Sequence, residues 1–94
     1  FSGLRHLQGD FIAIFQFNDA PATPAKIDLK DEHRVFPGDG ILPLEQCLRD
    51  LRDIGYRRCV SLELYNPAYW KRDPLEVAME GRKKTVKVIE RALA

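Results

Sequence analysis

The chain has 94 residues, a formal net charge of +1, 45% hydrophobic residues and 31% charged residues. That length holds one small domain, and so even a charge balance gives no field that argues for nucleic acid or an anionic membrane as partner. No apolar run approaches the roughly 20 residues of a membrane span, and no signal-peptide pattern opens the sequence.

Phe1 to Gln8 carries Leu4 and Leu7 at helical spacing, and Gly9-Asp10 breaks the pattern. The chain opens with Phe, inside this helical pattern, which predicts a piece of a longer polypeptide or a processed product. Phe11 to Phe17 is apolar at nearly every position except Gln16, which predicts a strand covered on both faces, as in a parallel sheet. Asn18-Asp19 follows, and Pro21 and Pro24 mark a loop. The connection from Ala20 to Gly40 is long for a compact domain, and loops of that length are usually functional or disordered. It contains an acidic stretch from Asp28 to Glu32, then His33-Arg34, then the turn dipeptides Pro37-Gly38 and Asp39-Gly40. Two such turns in series suggest backbone held close to a ligand.

Leu44, Cys47, Leu48 and Leu51 recur at helical spacing. Pro43 suits a first turn and Gly55 a C′ stop, so a helix is expected from about Pro43 to Ile54. Cys59 to Leu64 reads as a second strand, with Val60, Leu62 and Leu64 on one face and Cys59, Ser61 and Glu63 on the other. Tyr65-Asn66-Pro67 ends it, and Tyr69-Trp70 forms a short aromatic segment. Asp73-Pro74-Leu75-Glu76 is a helix start, with Asp at the N-cap, Pro at N1 and an acid at N3. That helix is expected to reach about Leu93 and to bury Leu75, Ala78, Val86, Ile89 and Leu93 on one face. Gly81 lies inside it and weakens it by about 1 kcal/mol relative to Ala. Cys47 and Cys59 are expected to be two reduced core thiols, which fits a cytoplasmic protein.

The order is end of helix, strand, long loop, helix, strand, loop, helix. Such alternation predicts an α/β fold with parallel strands. Two strands do not make a stable parallel sheet alone, so the remaining strands must come from further sequence or from another copy of the chain. In parallel α/β sheets and barrels, ligand sites lie at the C-terminal ends of the strands. Gln16 and Glu63 would then face one site beneath the long loop. The alternative is structural: Gln16 a satisfied buried amide, and Glu63 paired with Arg34, Arg57 or Arg58.

Several stretches carry a resemblance. They are Phe15-Gln16-Phe17-Asn18-Asp19, the run Asp31 to Gly40 with its Arg-x-x-Pro-Gly-x-Gly, and Ile54-Gly55-Tyr56 leading through Val60 to Leu64. Asn66 to Lys71 and Lys83-Lys84-Thr85 belong to the same set. Over nearly its whole length the chain resembles the xylose isomerase-like TIM barrels of sugar phosphate isomerases and epimerases, and within them most resembles the keto-inositol (inosose) isomerases.

The resemblance implies the C-terminal quarter of a (β/α)8 barrel, about the seventh and eighth strands with their outer helices, completed by the rest of the barrel or by oligomerisation. It also implies one divalent metal held by Glu, Asp, His and Glu on four successive strands. Glu63 matches the last of these, and Gln16 stands where the family has His. An amide oxygen suits Mg²⁺, Mn²⁺ or Co²⁺ better than zinc, and dehydroshikimate dehydratases are among the family members with Gln there. The implied chemistry is a proton shift next to a carbonyl, with Glu63 as one of two catalytic carboxylates. Arg34 matches an arginine that binds substrate oxygens, and His33 is a second candidate for substrate contact.

Asp19 is expected to orient Gln16 or the loop, Tyr69 and Trp70 to pack the loop or an interface, and Arg82 to Lys84 to form a solvated helix face. Arg34 could alternatively fix the loop through Asp31 or Asp39. The resemblance implies a small sugar, cyclitol or keto acid as substrate, with isomerase or dehydratase as the alternative reactions. The third possibility is a non-catalytic piece that folds by homo-oligomerisation. The abasic-site endonucleases of the superfamily fit poorly with a near-neutral chain.

Overall fold

The computed structural model describes residues 2–94. After a 3-10 helix at Ser2–His6 and a 3-10 turn at Gly9–Phe11, the order is β1 (Phe15–Phe17), α1 (Leu44–Asp53), β2 (Val60–Leu62), α2 (Pro67–Trp70) and α3 (Pro74–Leu93). The first expected helix is thus a 3-10 helix, and Phe1 lies outside the described residues.

β1 and β2 pair in parallel, with Phe15 beside Val60, Gln16 beside Ser61 and Phe17 beside Leu62. The α/β class and the parallel strands stand as expected. The first strand is shorter than its apolar run, because only three of its residues meet a partner. Phe11 falls in the 3-10 turn and is 82% exposed, whereas Phe17 is 1% exposed. β1 is therefore covered on one face only: Phe15 and Phe17 pack inward, and Ile14 and Gln16 lie open.

The core gathers Phe17, Leu44, Leu48, Leu51, Tyr56, Val88 and Ala92, with Phe15, Val60 and Ile89 against it. It lies between the sheet and the two helices α1 and α3. α1 turns Leu44, Cys47, Leu48 and Leu51 inward, as its sequence spacing dictates. Pro43 precedes its first residue rather than joining the helix, and the Pro43 carbonyl accepts from Cys47 N–H at 3.1 Å. Gly55 ends α1 with φ +87, a backbone conformation that side chains other than glycine's resist.

α3 begins and ends where expected, but it packs through a different face. Its buried positions are Gly81, Val88 and Ala92, whereas Leu75 is 67% exposed and Ala78, Val86 and Leu93 are also exposed. The reason is Gly81. A methyl group there would come within 2.6 Å of Leu62 Cδ2 and 3.1 Å of Phe36 Cε1. The missing side chain lets the helix sit down on β2 and the loop, so the glycine side becomes the buried side. Next to it an apolar groove of about 520 Å³ runs between β2 and α3, lined by Val60, Leu62, Ala78, Val86 and Ile89 among others. The side chain of Asp73 makes no capping bond, but its carbonyl accepts from Val77 N–H at 3.1 Å.

The thiols are not both in the core. Cys47 is buried and Cys59 exposed, and both are free. Burial pushes the Cys47 thiol above its ordinary pKa, with Asp50 adding to the effect. Cys59 lies just before β2, on the strand's open side, which alternation alone did not separate from the packed side. Among the described residues no helix is long and apolar enough to cross a membrane.

Candidate functional site

The register places three polar side chains on one side of the sheet. Gln16 sits beside Ser61, and Glu63, two residues beyond Ser61, shares its face. The backbone of Glu63 continues the ladder, its N–H donating to the Phe17 carbonyl at 3.2 Å. Gln16 and Glu63 therefore stand near the C-terminal ends of adjacent strands, on the face opposite the helices. Gln16 is exposed on the side of the two strands that the helices leave uncovered.

Glu63 has partners on both carboxylate oxygens. Arg34 Nη1 donates to Oε2 at 3.1 Å, and the Tyr65 hydroxyl donates to Oε1 at 3.0 Å. Of the three arginines weighed as partners, Arg34 is the one that reaches it. Arg58 instead donates to the Ile12 carbonyl at 3.2 Å. Arg34 also donates through Nη2 to Asp31 Oδ1 at 2.7 Å, and its guanidinium lies 5.4 Å from the centre of the Tyr65 ring. The two arms of the guanidinium fork thus make the loop tie to Asp31 and the pairing that was the structural alternative for Glu63. The hydrogen bond to the Glu63 carboxylate pushes the Tyr65 phenol above its ordinary pKa.

The loop that carries Arg34 is held by Asp19. This carboxylate is 1% exposed, yet it accepts four backbone N–H groups. Oδ1 accepts from Ala20 at 2.9 Å and Leu42 at 3.0 Å, and Oδ2 from Gly38 at 3.0 Å and Gly40 at 3.1 Å. A buried charge is costly unless hydrogen bonds replace its water, and here four do. The Asp19 backbone also pairs with Val35, at 2.9 and 3.0 Å, forming an antiparallel bridge. Asn66 Nδ2 donates to the Arg34 carbonyl at 3.1 Å. Arg34 is thus fixed from the end of β1 and from the end of β2. Of the two roles expected of Asp19, it is the loop that it orders. The tandem turns wrap this side chain.

His33 faces its own turn. Its Nδ1 accepts from Lys30 N–H at 2.9 Å, and its Nε2 lies 3.8 Å from Glu32. Tyr69 packs on the loop, its ring stacked on Phe36 with centroids 4.3 Å apart. Trp70 is exposed and lines an open hollow of about 510 Å³ with Lys30, Asp31, Glu32 and Tyr65. Of the basic run, Arg82 and Lys83 are exposed, but Lys84 is bonded to Asp39 in the loop and lies 3.2 Å from Glu80.

The donor set can be tested against a metal. Glu63 and the amide oxygen of Gln16 are hard oxygen donors on one face. Among the described residues no group of three or more His, Cys, Asp and Glu side chains is arranged to hold an ion. Both oxygens of Glu63 are engaged, by Arg34 and by Tyr65. Reading the sequence missed Tyr65, which follows Glu63 by two residues just past the end of β2.

The family description of the xylose isomerase-like TIM barrel matches residues 3–88. The chain belongs to the xylose isomerase-like TIM barrel family. Among curated proteins it is 35% identical over 88 residues to inosose isomerase of Bacillus licheniformis, covering 94% of this chain and 31% of that protein. Inosose isomerase of Bacillus subtilis gives the same identity and coverage. A 3-dehydroshikimate dehydratase of Pseudomonas putida is 31% identical over 81 residues, covering 85% of this chain and 13% of that protein. The chain spans 31% of the length of the inosose isomerases it matches. Among solved structures, the 1.8 Å crystal structure of IolI protein with a zinc atom superposes with a TM-score of 0.89 and 33% identity. That match covers 99% of this chain and 33% of the other. The two parallel strands and their helices therefore superpose on about a third of that chain, and the face that carries Gln16 and Glu63 is the face away from the helices.

Proposed function

We propose that this chain is the C-terminal portion, about the seventh and eighth strands with their helices, of a divalent-metal-dependent isomerase or epimerase acting on a keto-inositol or a related sugar. The observation that carries the reading is the shared face of Gln16 and Glu63 at the ends of adjacent parallel strands. The inosose isomerases among the relatives support the substrate class, and the zinc in IolI supports a divalent cation.

Gln16 and Glu63 would hold the cation together with two donors from elsewhere in the barrel. The Gln16 amide favours Mn²⁺, Mg²⁺ or Co²⁺ over zinc. When bound, the cation would supply positive charge against the negative charge that develops as a proton leaves the carbon next to a carbonyl. The Glu63 carboxylate takes up or returns that proton, opposite a second carboxylate from another strand. Arg34 presents a planar fork to a substrate hydroxyl or oxyanion. His33, already bonded within its turn, lies at the rim of the loop, and Asp19 acts through the loop. The reaction is assigned to the cytoplasm, in keeping with two free thiols.

A second reading keeps the site and changes the reaction. The dehydratase among the relatives and the Gln16 position favour loss of water from a cyclic keto acid. The decisive experiment uses the complete barrel, with inosose and 3-dehydroshikimate as substrates, for the parent and for Glu63→Gln. An isomer of equal mass supports the first reading and a product lighter by one water the second. Turnover by a folded Glu63→Gln enzyme at the parent's rate refutes the role of Glu63. The groove between β2 and α3 is covered by the rest of the barrel or by a second copy of the chain. Sedimentation separates these, since a monomeric complete barrel removes the need for a homo-oligomer.

A further inference from the structure

Tyr65 touches two members of the site. Its hydroxyl donates to Glu63 Oε1 at 3.0 Å, and its ring lies under the Arg34 guanidinium at 5.4 Å. Arg34 in turn donates to Glu63 Oε2 at 3.1 Å. The three side chains form a closed ring of contacts, in which each restrains the other two. A carboxylate on a strand end rotates about three side-chain bonds, the last of them broad and roughly two-fold. With one oxygen held by Arg34 alone, that last rotation is weakly defined. With the other oxygen held by Tyr65, the plane of the carboxylate is set.

We propose that Tyr65 is a positioning residue of this site, orienting the Glu63 carboxylate from the side opposite Arg34. This rests on the reading of Glu63 as the reacting carboxylate. Tyr65 follows Glu63 by two residues, just before the Asn66 side chain starts α2 by accepting from Ala68 N–H at 3.0 Å. The Tyr65 ring stays 45% exposed, on the open hollow it shares with Trp70. It is therefore placed to act on Glu63 while leaving room for a ligand. Tyrosine suits the task, since a phenol donates to a carboxylate while its ring face attracts the guanidinium. Phenylalanine at this position keeps the ring contact and loses the donor.

The test compares Tyr65→Phe and Tyr65→Leu with the parent in the complete barrel. Tyr65→Phe is expected to lower kcat about tenfold, the range set by one lost hydrogen bond to a charged group, with KM within twofold and the thermal midpoint unchanged. Tyr65→Leu is expected to lose more, because Arg34 then loses the ring as well. A parallel measurement needs no turnover: the side-chain ¹³C carboxyl resonance of Glu63 at neutral pH, which is expected to move in Tyr65→Phe and to keep its position in Trp70→Phe. If the parent turns over and Tyr65→Phe retains its kcat, the positioning role is overturned while the isomerase reading stands. A rise in KM alone overturns it in favour of a direct substrate contact. If the parent is inactive on every substrate, the isomerase reading fails. An unmoved Glu63 resonance in Tyr65→Phe overturns the positioning role whether or not the parent turns over; with an inactive parent a shifted one shows the contact alone, and the role falls with the reading it rests on.

Discussion

Arg34 donates to Glu63 across 29 residues of chain, at 3.1 Å, with the two side chains only 25% and 28% exposed. This partly shielded pair joins the long loop to the end of β2, and its geometry needs the guanidinium fork. Lysine at position 34 keeps the charge but cannot reach Asp31 and Glu63 with two fixed arms. Arg34→Lys is therefore expected to cost about 1 kcal/mol of stability, measured by urea unfolding, a charge-assisted bond being worth about 1.5–3 kcal/mol and partly replaced by the ammonium. In the complete barrel the same change is expected to raise KM more than it lowers kcat.

Asp19 is the larger structural commitment. Replacing it with Ala leaves four inward N–H groups without their acceptor, and the expected loss is about 3 kcal/mol or more. Asp19→Asn keeps one acceptor oxygen and turns an NH₂ toward the other pair of donors, so it is expected to fall between the two. Hydrogen exchange at Gly38, Gly40 and Leu42 reads the effect residue by residue, and unchanged protection of all three in Asp19→Ala would contradict it.

Gly81 gives a prediction opposite in sign to helix propensity. In an exposed helix Gly→Ala gains about 1 kcal/mol. Here the new methyl would come within 2.6 Å of Leu62 Cδ2, and overpacking of that kind costs about 1–3 kcal/mol. Gly81→Ala is expected to be net destabilising in denaturant unfolding. Adding Leu62→Ala to it is expected to cost less than the sum of the two single changes, because each relieves the other.

The acid side of the stability curve reports on Glu80. Hydrogen bonds from Arg72 at 2.9 Å and from Lys84 hold its carboxyl below the usual carboxylate range. A folded-state pKa below the unfolded one contributes stability above the unfolded value, and that contribution is lost as pH falls through the folded one. Unfolding measured from neutral pH down into the acid range is expected to show a decline that Glu80→Gln makes shallower. Equal pH slopes for the parent and the variant would dismiss the Arg72 and Lys84 contacts as solvated crossings.

What the sequence made legible follows from periodicity and parity. Pro43 and Gly55 bracket α1 to within a residue, and alternation along Cys59 to Leu64 put Glu63 on the face that the register also gives to Gln16. Contacts that depend on distant backbone were not legible. The buried face of α3 turns on what Gly81 approaches, and a stripe of Leu75, Ala78 and Val86 has the same period as the stripe that packs. Asp19 looks like any loop acid until four N–H groups from residues 20 to 42 converge on it. Cys47 lies on the inward face of α1, whereas Cys59 precedes β2 on the side the chain leaves uncovered, and alternation does not say which side that is.

The Asp19–Val35 bridge has a bearing on how the loop tolerates change. Residues 20 to 34 form an excursion that leaves and returns at neighbouring points, and most of its side chains, Ile27 at 91% among them, face water. Insertions or deletions between Pro21 and Lys30 can be absorbed there without shifting Arg34. A single residue added between Val35 and Leu42 would drag the arginine and the Asp19 cradle out of step, so diversification of the barrel's rim is open on one limb of the loop and closed on the other.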